Sequence, residues 1–350
     1  MHFFELKVHS ESEDLKVVIE RNVPVPMRDG VILRADVYRP DCGGPYPVLV
    51  QRTHYGRRGA FDRFVRAGYI VVSQNVRGVY GSEGEYENFR QLNTHLGEDG
   101  YDTIEWAARL PGSNGRVGTF GTSQPAILQW LLAANCPPSL VAMSACSCPS
   151  RLTQIELAQG TLLPIRLWGS TVILPDIRRM ANRPGVHKNW EAQKLWSEGE
   201  SEKWINWLPW LELPREVFED YTELIKHQIM NPHQDTLKLD ELCKNISVPN
   251  LNVVGWYDHA NDDMLLFRTM VREAKTEVAR KSSRIIIGPW GHGPTSRRVG
   301  KIDFGSDAEV DMYAIRIRWF DYWLKGKQNG IDKDAPVRIF VIGDNKWRDE

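Results

Sequence analysis

Ser123 is a residue whose type and setting could do nucleophilic chemistry. It lies in "RVGTFGTSQPAILQW", where a short apolar run turns through Gly121-Thr122-Ser123 into a stretch with helical character. A Gly-x-Ser turn between a strand and a helix exposes a serine hydroxyl as a nucleophile, although the usual glycine two residues later is here Pro125. An ordinary turn serine is the alternative interpretation. The hydroxyl also needs a base, and the base needs an orienting acid.

Two later segments supply an acid and a base in order. "LNVVGWYDHAND" places Asp258 directly after an apolar run, and "RIIIGPWGHG" places His292 directly after the next one. Serine, acid and histidine, each just beyond a strand, is the chain order of an α/β-hydrolase sheet. His259 and Asp262 are rival candidates, but His259 directly follows Asp258, which leaves little chain for an acid and a base to meet. We therefore predict a triad of Ser123, Asp258 and His292.

The elements needed to position these residues alternate along the chain. Asp29-Gly30 favours a hairpin turn between two β segments near the start. Six short apolar runs then follow, as strands do when helices cover both faces of a parallel sheet: "YPVLVQRTHY", "GYIVVSQNV", "RVGTFG", "LVAMSACS", "PNLNVVGWY" and "RIIIGPW". Helical stretches such as "GEDGYDTIEWAARLP" and "PAILQWLLAANCP" lie between them. The pattern predicts an α/β fold, with Pro125 in the first turn of the helix after Ser123.

Composition narrows the function class. The 350 residues carry 44 Lys and Arg against 45 Asp and Glu, a net charge of −1, so neither nucleic acid nor an anionic membrane is an expected partner. No secretory signal pattern or span long enough for a bilayer is seen, and five cysteines, an odd number, argue against a disulfide framework. We expect a soluble, cytoplasmic protein that acts on a small molecule or short peptide. No ligand-spaced cluster predicts a metal or cofactor.

At this point seven motifs carry a resemblance to a known family. The chain resembles the cocaine esterase and X-prolyl dipeptidyl-peptidase family of serine hydrolases, which includes α-amino acid ester hydrolases and glutaryl acylases. The motifs are, in order, "VPMRDGVILRADVYRP", "QRTHYG", "VRGVYGSEGEY", "EDGYDTIEW", "NGRVGTFGTS", "GWYDHA" and "IGPWGH". The resemblance implies an α/β-hydrolase core, a helical cap and a C-terminal β-sandwich.

The resemblance also implies roles for single residues. The family nucleophile falls on Ser123, the acid on Asp258 and the base on His292. Tyr55 matches the tyrosine whose phenol joins a backbone N–H in the oxyanion hole, and the amide of Gln124 is that second donor. The implied reaction is cleavage of a carboxylic ester or amide through an acyl-enzyme.

Three departures from the family pattern keep alternatives open. Gln124 stands where the family has a tyrosine, Ala126 where it has a glycine, and Asn75 where it commonly has an aspartate. The alternatives are an X-prolyl dipeptidyl aminopeptidase, and a degenerate hydrolase that survives as a binding protein.

The predicted domains follow from these patterns. Residues 1–150 and 241–330 form two parts of the hydrolase core, 151–240 form a helical cap that holds six of the thirteen tryptophans, and 331–350 begin an incomplete β-sandwich. Some of these tryptophans are candidates to line an apolar pocket.

The last part of the chain predicts a helix and a strand. A capping-box pattern at Ser306 and Glu309 starts the helix, and Gly326 ends it. Pro336 to Gly343 form an apolar strand that we expect either to dock on the hydrolase domain or to mediate self-association. The sequence ends soon after this strand, from which we expect a truncated form of the family architecture.

Overall fold

The computed structural model describes most of the chain outside residues 151–237. The described ranges are 15–57, 59–86, 95–150, 238–293 and 296–350, with shorter pieces at 157–158, 161–162, 172–188, 190–192, 194, 203, 206–209 and 212.

Fourteen strands and eight α-helices lie in these ranges. The strands are β1 Val17–Pro26, β2 Ile32–Pro40, β3 Tyr46–Thr53, β4 Ile70–Asn75, β5 Ser113–Thr122, β6 Leu140–Cys146, β7 Leu157–Ala158, β8 Thr161–Leu162, β9 Leu251–Gly255, β10 Arg284–Gly288, β11 Arg298–Val299, β12 Ile302–Asp303, β13 Val337–Val341 and β14 Lys346–Asp349. The helices are α1 Asp62–Arg66, α2 Leu96–Ala108, α3 Gln124–Ala133, α4 Leu174–Met180, α5 Leu239–Leu242, α6 Asp263–Glu273, α7 Glu277–Ser282 and α8 Met312–Lys325. Single 3₁₀ turns lie at Cys243–Asn245, Ser306–Ala308 and Ile331–Lys333.

The main sheet begins with the predicted hairpin and continues as parallel strands. β1 pairs antiparallel with β2 around Gly30, whose φ of 87° suits the turn. Its six strands run in the order β1-β2-β4-β3-β5-β6, with β3, β4, β5 and β6 parallel. All six apolar runs predicted as strands are strands in the structure.

A second set of strands continues this sheet beyond β6. Its order is β14-β13-β10-β9, and a parallel bridge between Met143 and Asn250 joins β6 to the start of β9. The Asn250 side-chain oxygen also accepts a hydrogen bond from the Ala145 amide at 2.9 Å. The order β1-β2-β4-β3-β5-β6-β9-β10 that results is that of an α/β-hydrolase sheet, as the sequence predicts. The carboxyl ends of β3, β5, β6, β9 and β10 therefore lie along one edge.

Hydrophobic packing covers both faces of the sheet. Alternate residues of a strand point to opposite faces, so Val48 and Val50 of β3 join one apolar cluster while Leu49 joins the other. The first cluster includes residues of α2 and α3, and the second includes residues of α1 and α8. The described helices thus hold the sheet rigid from two sides. None of them is long and apolar enough to cross a membrane.

Helix α8 ends as predicted but starts later. Gly326 closes it with a left-handed φ of 69°. The predicted capping box at Ser306 and Glu309 is wrong, because those residues belong to a separate 3₁₀ turn in which the Glu309 amide donates to the Ser306 carbonyl at 3.0 Å. The N-cap is Asp311, whose carboxylate accepts from the amides of Tyr313 and Ala314 at 3.0 and 3.1 Å.

The C-terminal apolar strand docks on the hydrolase sheet. β13 pairs in parallel with β10, and β14, which the sequence analysis does not anticipate, pairs antiparallel with β13. Of the two expectations for Pro336 to Gly343, the structure shows docking on the hydrolase sheet. Self-association stays a prediction. These strands extend the hydrolase sheet here, so the boundary proposed at residue 331 marks no break in the sheet.

The predicted cap lies largely outside the described residues. Within it the structure describes helix α4 and the two-residue strands β7 and β8. Most of the tryptophans considered for an apolar pocket are outside the described residues too, and Trp190 is 61% exposed. The cap and its pocket stay predictions.

Candidate active site

Ser123 lies in a sharp turn between β5 and α3. Its backbone has φ 67° and ψ −125°, a conformation that L-residues other than glycine rarely adopt. Two hydrogen bonds hold the turn: the Ser123 amide donates to the carbonyl of Cys146 at 2.9 Å, and the Ser123 carbonyl accepts from the Ala126 amide at 2.8 Å. Such a conformation costs about 1–3 kcal/mol and is retained where the surroundings impose it. The turn has the geometry that presents a nucleophile at a strand end.

Close packing around this turn explains the residues beside it. A Cβ atom added at Gly121 would lie 2.6 Å from the Cβ of Pro125, so only glycine fits there. Pro125 is in the first turn of α3, as expected, where its missing N–H breaks no helical bond. Ala126 is fully buried, and its methyl group is accommodated in the structure. Gln124 is the first residue of the helix, so its amide has no intrahelical acceptor.

The loops after β9 and β10 are locked to each other beyond the strand ends. The Trp256 amide donates to the Gly288 carbonyl at 2.9 Å, and the Tyr257 amide donates to the Trp290 carbonyl at 3.0 Å. Gly255 permits this approach, because a Cβ there would lie 2.0 Å from the Trp290 carbonyl oxygen. Asp258 and His292 follow immediately, so the backbone ladder fixes where both side chains start.

The predicted acid and base are in direct contact. Nδ1 of His292 lies 2.8 Å from Oδ1 of Asp258, and the Ala260 amide donates to the same oxygen at 2.8 Å. The Asp258 side chain is fully buried, whereas that of His292 is 31% exposed. A buried acid that holds one ring nitrogen leaves Nε2 to act on a substrate-facing hydroxyl.

The pKa of Asp258 is lowered in this setting. Burial is the largest single influence and acts to raise it, but the hydrogen bond and charge of His292, together with hydrogen bonding from Ser147 and the Ala260 amide, outweigh burial. Asp258 is therefore an ionised carboxylate at neutral pH, which is the state an orienting acid requires.

Ser123 lies at the same edge of the sheet, where hydrogen bonds link β5 and β6 to β9. Thr122 of β5 is in register with Cys146 of β6, and the Ser147 amide donates to the Val253 carbonyl of β9 at 3.0 Å. Within the described residues, no hydrogen bond yet joins the Ser123 hydroxyl to His292. Catalytic hydrogen bonds are often long without substrate and tighten when it binds.

Comparison with known proteins identifies the family of this chain. The family described as X-Pro dipeptidyl-peptidase (S15 family) matches residues 29–294. The chain belongs to this family. Cocaine esterase of Rhodococcus sp. (strain MB1 Bresler) is 27% identical over 95% of this chain and 59% of its own length. The chain therefore spans about three fifths of the length of that relative.

Solved structures show the same fold. An aminopeptidase from a marine sediment archaeon of the Thaumarchaeota superposes with a TM-score of 0.71 and 22% identity, over 96% of this chain and 58% of that one. An α-amino acid ester hydrolase gives a TM-score of 0.60 and 21% identity, over 100% of this chain and 61% of that one. The resemblance inferred from the seven motifs is thus confirmed.

Asp262 and His259, the rival candidates for the acid and the base, have different environments. Asp262 accepts a hydrogen bond from the Ser150 amide at 2.8 Å, so it ties the loop after β6 to α6. His259 lies beside the predicted acid, with Nδ1 3.8 Å from Oδ1 of Asp258 and its ring centroid 4.4 Å from that of His292. Burial and the charge of His292 lower the pKa of His259 more than Asp258 raises it. His292, not His259, makes the short bond to the acid.

Tyr55, which the sequence predicts as an oxyanion donor, lies just beyond a strand of the main sheet. It follows the end of β3, which is paired in parallel with β5, the strand that leads to Ser123. The Tyr55 amide donates to the Thr53 hydroxyl at 3.0 Å, which fixes the turn after the strand. The residue is half-buried at the edge where Ser123 also lies.

Two supporting residues escaped the sequence analysis. Asp263 is fully buried and accepts the Cys148 amide at 2.5 Å, and burial raises its pKa well above the ordinary value. Arg316 of α8 donates to the hydroxyl of Ser144 at 3.2 Å and to that of Thr122, the residue before Ser123, at 3.3 Å. Neither has a sequence signature, because each acts through strand ends that are distant along the chain.

Proposed function

We propose that this S15 chain is a serine hydrolase that cleaves a carboxylic ester or amide through Ser123, His292 and Asp258. The observation that carries the proposal is the 2.8 Å contact between Asp258 and His292 at strand ends beside a strained serine turn. A solvated loop aspartate and an unrelated loop histidine would not be expected to form this contact. Membership of the family supports the same chemistry.

The proposed reaction has two stages. His292 Nε2 takes the proton of the Ser123 hydroxyl as the oxygen attacks the substrate carbonyl, and Asp258 stabilises the imidazolium that forms. His292 then gives this proton to the leaving group, and the acyl group stays on the serine. Water, activated by the same base, attacks the acyl-enzyme and releases the acid. The roles need neither a metal nor an organic cofactor.

Tyr55 and the Gln124 amide are the proposed oxyanion donors. The hydroxyl of Tyr55 is expected to act on charge that develops in the transition state, so Tyr55→Phe should lower kcat about a hundredfold with little change in KM. Steady-state kinetics with an aryl ester measures both constants. Tyr46→Phe is a suitable control, since that hydroxyl donates to the Cys42 carbonyl at 2.8 Å, before the opposite end of β3. Equal kcat values for the two variants would remove Tyr55 from the site.

Labelling with a fluorophosphonate tests the nucleophile. The native protein should form a 1:1 adduct, and peptide mass spectrometry should place it on Ser123. Ser123→Ala should abolish labelling, whereas Ser113→Ala, at the far end of the same strand, should not. A native chain that stays unlabelled would favour the alternative of a non-catalytic binding protein.

An X-prolyl dipeptidyl aminopeptidase is the second candidate function. Its support is the family description and a structural neighbour that is an aminopeptidase. Parallel kinetics with an aryl acetate and an Ala-Pro anilide separate the two candidates. A kcat/KM for the anilide at least as high as for the ester would favour the peptidase.

A further inference from the structure

The triad leaves one nearby histidine without a role. Nδ1 of His259 and Nδ1 of His292 lie 3.8 and 2.8 Å from the same carboxylate oxygen of Asp258. One donor atom from each of the three side chains lies within 4.8 Å of the other two. The His259 side chain is 36% exposed, so the core does not require an imidazole at this position.

This set of donors matches the ligands that zinc prefers. Zn²⁺ binds histidine nitrogen and carboxylate oxygen at about 2.0–2.2 Å in tetrahedral sites, which places neighbouring ligand atoms roughly 3.4 Å apart. The observed separations of 2.8 and 3.8 Å lie on either side of this value. Side-chain movements that change each separation by roughly half an ångström would bring both to this value. The His259 and His292 side chains are 36% and 31% exposed, so a water molecule can serve as the fourth ligand.

We propose that Asp258, His259 and His292 form a zinc-binding site whose occupation stops hydrolysis. The effect on hydrolysis rests on the proposed function, whereas the binding of zinc does not. His259 is the residue that turns an acid–base pair into a three-ligand site.

Zinc coordination would inactivate His292 as a base, because it would fix the imidazole in the wrong tautomer. In the working triad, the proton of neutral His292 is on Nδ1 and the lone pair is on Nε2. Zinc bound to Nδ1 takes the lone pair of that atom, so the proton of the neutral ring must be on Nε2. Nε2 then cannot accept the proton of Ser123. Zinc also draws on the Asp258 carboxylate, so the orienting hydrogen bond is lost in the same step.

The ligand chemistry makes the site selective. Mg²⁺ and Ca²⁺ prefer six or more oxygen ligands, and two imidazole nitrogens serve them poorly. We expect no binding and no inhibition by millimolar Mg²⁺, while Zn²⁺ acts at far lower concentration.

Calorimetry on the untagged, chelator-treated chain tests binding directly. ZnCl₂ titrated into the native protein should show one site, and His259→Asn should weaken its affinity at least tenfold. His187→Asn is the matched control, because His187 is also partly exposed, bonds to the Arg183 carbonyl and is not one of the three clustered residues. Equal zinc affinity in the native chain and in His259→Asn would overturn the proposal.

Ester hydrolysis tests the consequence. The ratio of the rate with zinc to the rate without zinc is taken for each protein against its own zinc-free rate. Zinc should lower the rate at least tenfold for the native chain and for His187→Asn, and EDTA should restore it. For His259→Asn at the same zinc concentration, the ratio should stay near one.

The two assays separate the possible failures. A chain that binds zinc through His259 but hydrolyses neither the ester nor the anilide would contradict the proposed function alone. A chain that hydrolyses the ester but binds no zinc would contradict the zinc site alone. Hydrolysis that continues with zinc bound would overturn the inhibitory role.

Discussion

Ser123, the proposed nucleophile, has an unfavourable backbone conformation. Its φ of 67° is a conformation in which a Cβ atom is strained and glycine is not. We expect both Ser123→Ala and Ser123→Gly to lose at least about 10⁴-fold in ester hydrolysis, because each lacks the nucleophile.

The two variants should differ in stability. The free energy of unfolding should be about 1 kcal/mol greater for Ser123→Gly than for Ser123→Ala, since glycine relieves the strain. Urea denaturation measures the difference. An alanine variant that hydrolyses the ester would reject the nucleophile, and a less stable glycine variant would reject the strain argument.

Asp258 should give the folded state a definite pH dependence. Its pKa is lower in the folded protein than the ordinary value of about 3.9, so the unfolded chain binds more protons in that range and stability rises with pH. The contribution is complete above the ordinary value and is lost as the pH falls through the folded value.

Comparison with Asp258→Asn isolates this contribution. The difference in unfolding free energy between the native chain and the variant should shrink as the pH falls from about 5 to 3. The exposed Asp344→Asn serves as the control and should show a smaller change. A difference for Asp258→Asn that is constant with pH would contradict the lowered pKa.

At the scale of single elements, the sequence predicted the strands more securely than the helix starts. The six runs are short, apolar and bounded by turn residues, and a strand buried on both faces requires little else. The hairpin followed from Asp29-Gly30, and the end of α8 from Gly326, because each needs a conformation that few residues adopt.

The start of α8 failed for an identifiable physical reason. Ser306 and Glu309 have the right spacing for a capping box, but Asp311 offers a carboxylate that accepts from two amides of the helix at once. Local sequence does not rank such competing caps. The proximity of His259 to Asp258 was likewise not predictable from the sequence, because it depends on the turn that follows β9.

The cap assignment makes a stability prediction. Asp311→Ala should lower the free energy of unfolding by about 1 kcal/mol, while Ser306→Ala should stay within about 0.5 kcal/mol of the native chain. Asp311 also pairs with the half-exposed Arg63 at 2.7 Å, so Arg63→Ala measures the part that is not capping. Thermal and urea unfolding give the values. A larger loss for Ser306→Ala than for Asp311→Ala would restore the capping box.

At the scale of the whole molecule, the sheet connects the C-terminal strands to the active-site edge. β10, which leads to His292, pairs with β9 on one side and with β13 on the other. The indole N–H of Trp256, two residues before Asp258, donates to the Phe340 carbonyl of β13 at 2.9 Å. The apolar strand predicted at Pro336 to Gly343 therefore helps to support the proposed acid and base.

Phe340 tests this support. Its side chain is fully buried in a cluster with Phe304 and Ala308, so Phe340→Ala should cost about 3–5 kcal/mol of unfolding free energy. Ile342 is 47% exposed in the same segment, and Ile342→Ala should change stability by about 0.5 kcal/mol or less. Hydrogen exchange should show faster exchange in β10 only for the Phe340 variant, because β10 loses a firmly held neighbour. If the two variants were equally stable and β10 stayed equally protected in both, the strand would not be an integral part of the hydrolase sheet.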